Sequence, residues 1–210
     1  MKEKKARKKT EKVRKEKNKS LLVVLSGPSG TGKDTMRMAF VEKTHFNRSI
    51  SVTTRKQGNS EKEGVDYYFV SKEDFEKKIE NNEILEYDTY NGNYYGTLWK
   101  TVRDYVKNGI DVIFALTIPG ALAIKKAFPD DAVSVFVLPP DMAELENRIR
   151  TRARGENEEC IKERLRIAAE REIPRAVEFD YSIINDDFDR ALSELCDIVE
   201  KEKEKRRSEK

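Results

Sequence analysis

The chain has 210 residues, enough for one compact domain with a sizeable core, and 39% of them are charged. Residues 1 to 20 carry 11 Lys or Arg against 3 Glu, a net of +8, so the overall +3 leaves the remaining body at −5. The basic balance therefore belongs to an arm and gives no reason to read the body as a nucleic-acid or membrane binder.

The arm, "MKEKKARKKTEKVRKEKNKS", has too few apolar residues to pack and reads as a disordered or solvated helical extension. It reads as solubilising, with weak contact to RNA or an anionic membrane as the other reading. It contains no apolar h-region and no later run is long enough to span a bilayer, so neither a secretory signal nor a membrane helix is expected. Cys160 and Cys196 are the only cysteines, both in helical stretches. Reduced structural thiols in a cytoplasmic protein are the expectation.

Next comes "LLVVLSGPSGTGKDT", residues 21 to 35. Five consecutive apolar residues suit a buried strand and are too short for a helix. The segment Gly27, Pro28, Ser29, Gly30, Thr31, Gly32, Lys33 then fits the phosphate-loop pattern, followed by a helix over about 32 to 44. Strand, glycine loop and helix in this order form an anion site: backbone N–H groups and the positive helix end face the phosphates, and Lys33 neutralises the terminal ones. A structural glycine turn is the other reading. The position after Lys33 usually carries a hydroxyl, and here it is Asp34, followed by Thr35.

Further along, "SISVTTR" and "DYYFV" read as strands, and "SKEDFEKKIENN" as an amphipathic helix capped by Ser71 with Asp74 three residues on. "EILEYDTY", the turn Asn91-Gly92 and "NYYGT" read as a hairpin. Helices near 98 to 108, 119 to 127 and 140 to 150 alternate with strands at 110 to 116 and 132 to 138, which is the signature of a parallel sheet covered on both faces. "RTRARGENEE" reads as a break. One long helix over 159 to 178, ended or kinked at Pro174, the strand "DYSIIN" and a last helix from Phe188 that dissolves into "EKEKEKRRSEK" complete the chain. His45, the only histidine, reads as a helix-end residue without a catalytic role.

With "SVTTR", "DYYF", "ILEY", "NGNYYGT" and "DYSIINDDFDRAL" following the phosphate loop in that order, residues 21 to about 203 resemble the guanylate kinase family. The resemblance implies an α/β P-loop kinase with a parallel core sheet flanked by helices (21–48 and 99–205). It implies a β-rich GMP-binding insertion at 49–98 and a small lid at about 150–160, with the arm 1–20 and a charged tail 206–210 outside. The implied reaction is ATP + GMP giving ADP + GDP with Mg²⁺, by a monomer or homodimer.

On that resemblance Arg55 clamps the GMP phosphate, with Ser51, Tyr67 and Tyr95 donating hydroxyl hydrogen bonds to it. Glu86 accepts from the guanine N–H edge and Thr97 donates to the guanine carbonyl; a pocket that leaves such groups unpaired rejects the wrong base. Tyr67 and Tyr95 also read as ordinary half-buried strand aromatics. Glu86 is harder to explain so, since a carboxylate inside "ILEY" is costly unless paired. Arg148, Arg152 and Arg164 are implied to close over the phosphates, ahead of Arg154, and a solvated arginine-rich face is their plainer reading. Asn185 is implied to lie near the ATP base or ribose.

The chain departs from the family pattern at three places: Gly58 replaces a second phosphate-clamping arginine, Ala115 and Thr117 replace acidic residues at a strand end, and Asp34 replaces the loop hydroxyl. Lys56 or Lys62 could stand in at the first, as point charges without a bidentate fork. At the last, Asp34 is read as holding Mg²⁺ directly or through a water, in part replacing the lost acids; the opposed reading is a carboxylate that repels phosphates in an inactive copy. Asp34 with no acids on the strand also resembles ribose 1,5-bisphosphate phosphokinases, which would leave Glu86, Thr97 and the tyrosines without a purpose. A guanylate-kinase-like protein-binding module is the non-enzymatic alternative, against which stand the intact loop glycines, Lys33 and the lid arginines.

Overall fold

The computed structural model of the protein describes residues 20–90, 92–152 and 157–208. The expectations for most of the arm, for Asn91 and for Arg154 fall outside these residues.

Strand β1 (Leu22–Ser26) is the centre of a five-stranded parallel sheet. Its period of two explains why both faces are apolar: Leu21, Val23 and Leu25 pack into one buried cluster, Leu22 and Val24 into another. Helix α1 (Lys33–Lys43) covers the first face with Met36 and Phe40. The remaining strands are β2 (Asn47–Arg48), β7 (Val112–Ala115), β8 (Ala132–Leu138) and β9 (Tyr181–Ile184), in the order β2-β7-β1-β8-β9. β2 is absent from the sequence reading, because two polar residues at a sheet edge give no periodic signal.

A second sheet, ordered β4-β3-β6-β5, is built from β3 (Ser51–Thr53), β4 (Tyr67–Phe69), β5 (Ile84–Tyr90) and β6 (Asn93–Leu98). β5 and β6 form the antiparallel hairpin, and Gly92 in its turn has φ 75°. Between β4 and β5 lies α2 (Lys72–Glu80), with the Ser71 hydroxyl accepting from the Asp74 N–H at 3.0 Å, half of the reciprocal cap expected. Helices α3 (Trp99–Asn108) and α4 (Ile118–Ala127) supply Val102, Ile118, Ala121 and Ile124 to the second core face.

Helix α5 (Met142–Arg152) and α6 (Glu158–Ile167) share a small core of Leu145, Ile149 and Ile161, and the middle of the expected lid, 153–156, falls outside the described residues. The single helix expected over 159 to 178 is three: α6, a π-helical turn (Ala168–Glu172) and a 3-10 segment (Ile173–Glu178). Pro174 lacks the donor and sterically excludes the carbonyl four residues earlier, so the ladder changes register there.

The last helix, α7 (Phe188–Ser208), does not dissolve after 200. Glu202 is buried inside the charged run, where Arg206 Nη1 donates to it at 2.7 Å and the Tyr181 hydroxyl at 2.8 Å. A satisfied buried carboxylate ties the helix to the sheet, which composition alone does not reveal.

Candidate active site

The loop after β1 closes on itself. Gly27 has φ 138°, and an added Cβ there would lie 2.3 Å from the Val137 carbonyl oxygen of the neighbouring strand. Gly32 has φ 89°, and its Cβ would lie 2.7 Å from Asn185 Nδ2, which donates to the Thr31 carbonyl at 2.8 Å. Both positions require glycine for conformation and for space. The Thr31 hydroxyl donates to the Pro28 carbonyl at 2.9 Å, and Lys33 Nζ donates to the carbonyls of Gly27 (2.5 Å) and Pro28 (2.7 Å). The loop is thus pre-shaped, and the lysine charge is carried over it.

Two cavities meet at the start of α1. One, of about 440 Å³, is lined by Gly30, Gly32, Thr35, Arg148, Asn185 and Phe188. The other, of about 500 Å³, lies between the two sheets and is lined by Asp34, Arg37, Ser51, Tyr67, Glu86 and Tyr95 among others. Both volumes suit a nucleotide-sized ligand. Asp34 and Thr35 are adjacent in sequence and face different cavities, so a phosphate chain along the loop would run from one to the other.

Five of the residues read from sequence come together in the larger cavity: Asp34, Ser51, Tyr67, Glu86 and Tyr95. Burial pushes the Glu86 carboxyl above the usual carboxylate range, opposed by a hydrogen bond from Thr97 and reinforced by the Asp88 charge. Thr97, expected to donate to a base carbonyl, lies behind Glu86, 2% exposed, and its one proton is donated to Glu86 Oε1 at 2.5 Å. Gly120, in the first turn of α4, lets Glu86 pack against that helix.

Arg55 sits at the rim. Its fork donates to Glu61 at 2.9 Å and 2.6 Å, and the guanidinium lies 5.3 Å from the Tyr67 ring centre. The same carboxylate accepts the Gly58 N–H at 2.7 Å and stands 3.0 Å from where a Gly58 Cβ would be. The position that lacks an arginine is therefore the one that seats the carboxylate gripping Arg55.

On the other side, Arg164 Nη2 donates to the Ser29 hydroxyl at 2.6 Å, and Arg148 Nη2 donates to the Asn185 carbonyl at 3.0 Å while its Nε donates to Glu144 at 2.7 Å. Arg152 closes α5. Asn185 itself is 4% exposed and serves the loop backbone as well as the smaller cavity.

Asp34 is exposed and pairs with Arg37 Nη2 at 3.3 Å, one helical turn on. Sequence reasoning passes over Arg37, which reads as an ordinary helix former, and over Arg48 and Asp66, which pair at 2.5 Å across the cavity wall. The Tyr67 phenol is pushed up by burial, with the Arg37 charge pulling the other way. Among the described residues no group of three or more His, Cys, Asp or Glu could by itself cage a metal ion, and no helix is long and apolar enough to cross a membrane.

Comparison with known proteins agrees with the geometry. The family model described as "Guanylate kinase" matches residues 19–202. The guanylate kinase of Enterococcus faecalis is 45% identical over 186 residues, 88% of this chain and 90% of that one. That of Latilactobacillus sakei is 43% identical over 187 residues, covering 88% and 91%. The crystal structure of guanylate kinase from Anaplasma phagocytophilum superposes with a TM-score of 0.68 at 32% identity, over 89% of this chain and 88% of that one.

Proposed function

The chain belongs to the guanylate kinase family, and on that footing we propose the roles its own residues take in moving the γ-phosphoryl group of ATP to GMP. It is an ATP-dependent nucleoside monophosphate kinase, giving ADP and GDP. The observation that carries the substrate assignment is the desolvated Glu86 carboxylate in the wall of the larger cavity.

Guanine presents two N–H donors side by side and one carbonyl. Glu86 accepts from the two donors, and the Thr97 hydroxyl behind it supports the carboxylate. Adenine offers no such donor pair, and a buried carboxylate left unpaired is costly, so AMP is excluded. Ser51, Tyr67 and Tyr95 donate to the GMP phosphate from the same wall, and Arg55, oriented by Glu61, clamps it from the rim.

ATP lies along the loop with its base toward Asn185 and Phe188. Lys33 leaves the loop carbonyls for the β and γ phosphates, and Arg148, Arg152 and Arg164 turn onto the charge that spreads over the transferring group. The transition state needs little covalent chemistry, so positioning and electrostatics supply the rate. Lid closure excludes water.

Magnesium in nucleotide enzymes is held by one or two carboxylates, phosphate oxygens and waters rather than by a protein cage. Asp34, exposed at the junction of the two cavities, fits that donor set and would hold the ion directly or through a water. Bound there, magnesium would supply positive charge to offset that of the phosphate oxygens.

The test is an ADP-release assay offering GMP, AMP and ribose 1,5-bisphosphate separately with Mg·ATP. Turnover with GMP alone is expected; turnover with the sugar alone, or with none of the three, overturns the assignment. A cytoplasmic location is part of the same reading; among the described residues no helix is long and apolar enough to cross a membrane.

A further inference from the structure

Three arginines stand around the larger cavity, and they differ in what their hydrogen-bonding capacity is spent on. The Arg48 Nη2 donates to Asp66 Oδ1 and to the Val65 carbonyl. The Arg55 end-on fork is spent on Glu61. Arg37 is different: among the described residues its buried Nε has no acceptor, and its guanidinium pairs with Asp34 at 3.3 Å. That pair is a weak one, because Asp34 is 78% exposed and an exposed i,i+3 pair contributes little. A buried guanidinium N–H without an acceptor is costly, so the site favours an anion that would let the side chain settle.

The cavity wall next to Arg37 is made of Ser51, Tyr67 and Tyr95 hydroxyls, with Ala115 and Thr117 at the end of β7 offering no carboxylate. The carboxylates that share this cavity are Asp34, Asp66, Glu86 and Asp88; Asp66 is held by Arg48 and Glu86 by Thr97, and none of the four is an acceptor for the Arg37 Nε. The Nε and the hydroxyls match a phosphate oxygen and would disfavour a neutral ligand. Gly58 leaves the rim with one arginine rather than two.

We propose that Arg37 is the second guanidinium on the phosphate of the acceptor nucleotide, reached from the floor of the cavity at the first turns of α1 rather than from the rim. This rests on the reading of the larger cavity as the GMP site. Arg37 then lies between the acceptor phosphate and the loop that holds the donor, so it binds the group that attacks. Asp34 is only a weak, exposed partner for it in the free protein and gives way when the phosphate arrives.

The experiment compares equilibrium binding of GMP and of guanosine to the wild type, Arg37→Met and Arg37→Lys, with thermal unfolding and steady-state turnover alongside. In the wild type GMP binds more tightly than guanosine, and in Arg37→Met that advantage falls about 10- to 100-fold while guanosine affinity and the KM for ATP stay put. Arg37→Lys keeps the charge without the fork and falls between, which also secures the result if the methionine variant folds poorly. A variant that keeps the wild-type advantage of GMP over guanosine, whatever its melting temperature, overturns the proposal. Failure of the GMP-site reading has a different signature: the wild type itself then shows no preference for GMP over AMP, and the role of Arg37 falls with it.

Discussion

An added Cβ at Gly120 would lie 2.5 Å from Glu86 Oε2 and 3.0 Å from its Cδ, so the first turn of α4 and the Glu86 carboxylate occupy adjoining space. The colliding atoms belong to the end of a flexible side chain rather than to backbone. Gly120→Ala should therefore move Glu86 and spare the fold. Alanine also favours a helix over glycine by up to about 1 kcal/mol, so the melting temperature should hold or rise. Meanwhile the KM for GMP should rise at least about tenfold, with the KM for ATP unchanged, since a displaced carboxylate no longer meets both guanine donors. Steady-state kinetics and a melting curve check both halves together. A variant with wild-type GMP kinetics would mean that Glu86 is not held by this contact.

Glu86→Gln separates function from stability. The amide keeps the shape, loses the charge and turns an NH₂ toward a guanine N–H, so kcat/KM for GMP should fall by about 100-fold. Stability should move the other way. Burial raises the Glu86 pKa in the folded state, so the stability this group contributes is fully present below its unfolded pKa and is lost as pH rises through its folded pKa. At neutral pH the glutamine variant avoids that loss, and it should unfold at a higher temperature than the wild type. Equal melting curves at pH 7 would contradict the desolvation argument.

Asp34→Asn tests whether the unusual carboxylate serves the metal. Asp34 is exposed and its partner contact is long, so the fold should be unaffected. If the carboxylate holds magnesium, the variant should lose at least about tenfold in kcat, or 1.4 kcal/mol of barrier. Its affinity for ATP should also respond less to added Mg²⁺, a binding readout independent of turnover. The opposite result, tighter ATP binding and undiminished kcat, would mark Asp34 as a repulsive residue.

Which parts of this site were legible in the sequence follows from how local their signals are. β1 and the loop were readable because an apolar run buried on both faces and glycines at left-handed positions are set by neighbours along the chain. Glu86 stood out because a carboxylate within "ILEY" conflicts with its own strand. Arg37 carried no such conflict: within a helix an arginine is unremarkable, and only the packing of β7 and the second sheet leaves its Nε without an acceptor. The Arg55–Glu61 pair is hidden for a similar reason, since the five intervening residues of irregular loop give no period to follow. The break after Ile167 was missed because α, π and 3-10 turns share side-chain preferences and differ only in hydrogen-bond register. Glu202 and Arg206 lay in a run whose composition reads as solvated tail, until the Tyr181 hydroxyl is seen to meet it.

The Thr97–Glu86 contact gives the site a predictable pH dependence. The hydroxyl donates to the carboxylate at 2.5 Å and holds its pKa below where burial alone would push it. Only the ionised carboxylate can accept both guanine donors, so kcat/KM for GMP should fall as pH drops through the Glu86 pKa, on an acid limb lying above the ordinary glutamate range. Thr97→Val removes the proton donor at nearly constant volume. The protonated form of Glu86 then gains ground and the limb should move to higher pH. A purely steric role for Thr97 would lower activity by the same factor at every pH and leave the limb where it was. Profiles of kcat/KM against pH for the two proteins, taken with saturating Mg·ATP and low GMP, distinguish these outcomes. Because the hydroxyl is buried behind the carboxylate rather than in the cavity wall, the shift should appear in the GMP profile and be absent from the one measured against ATP.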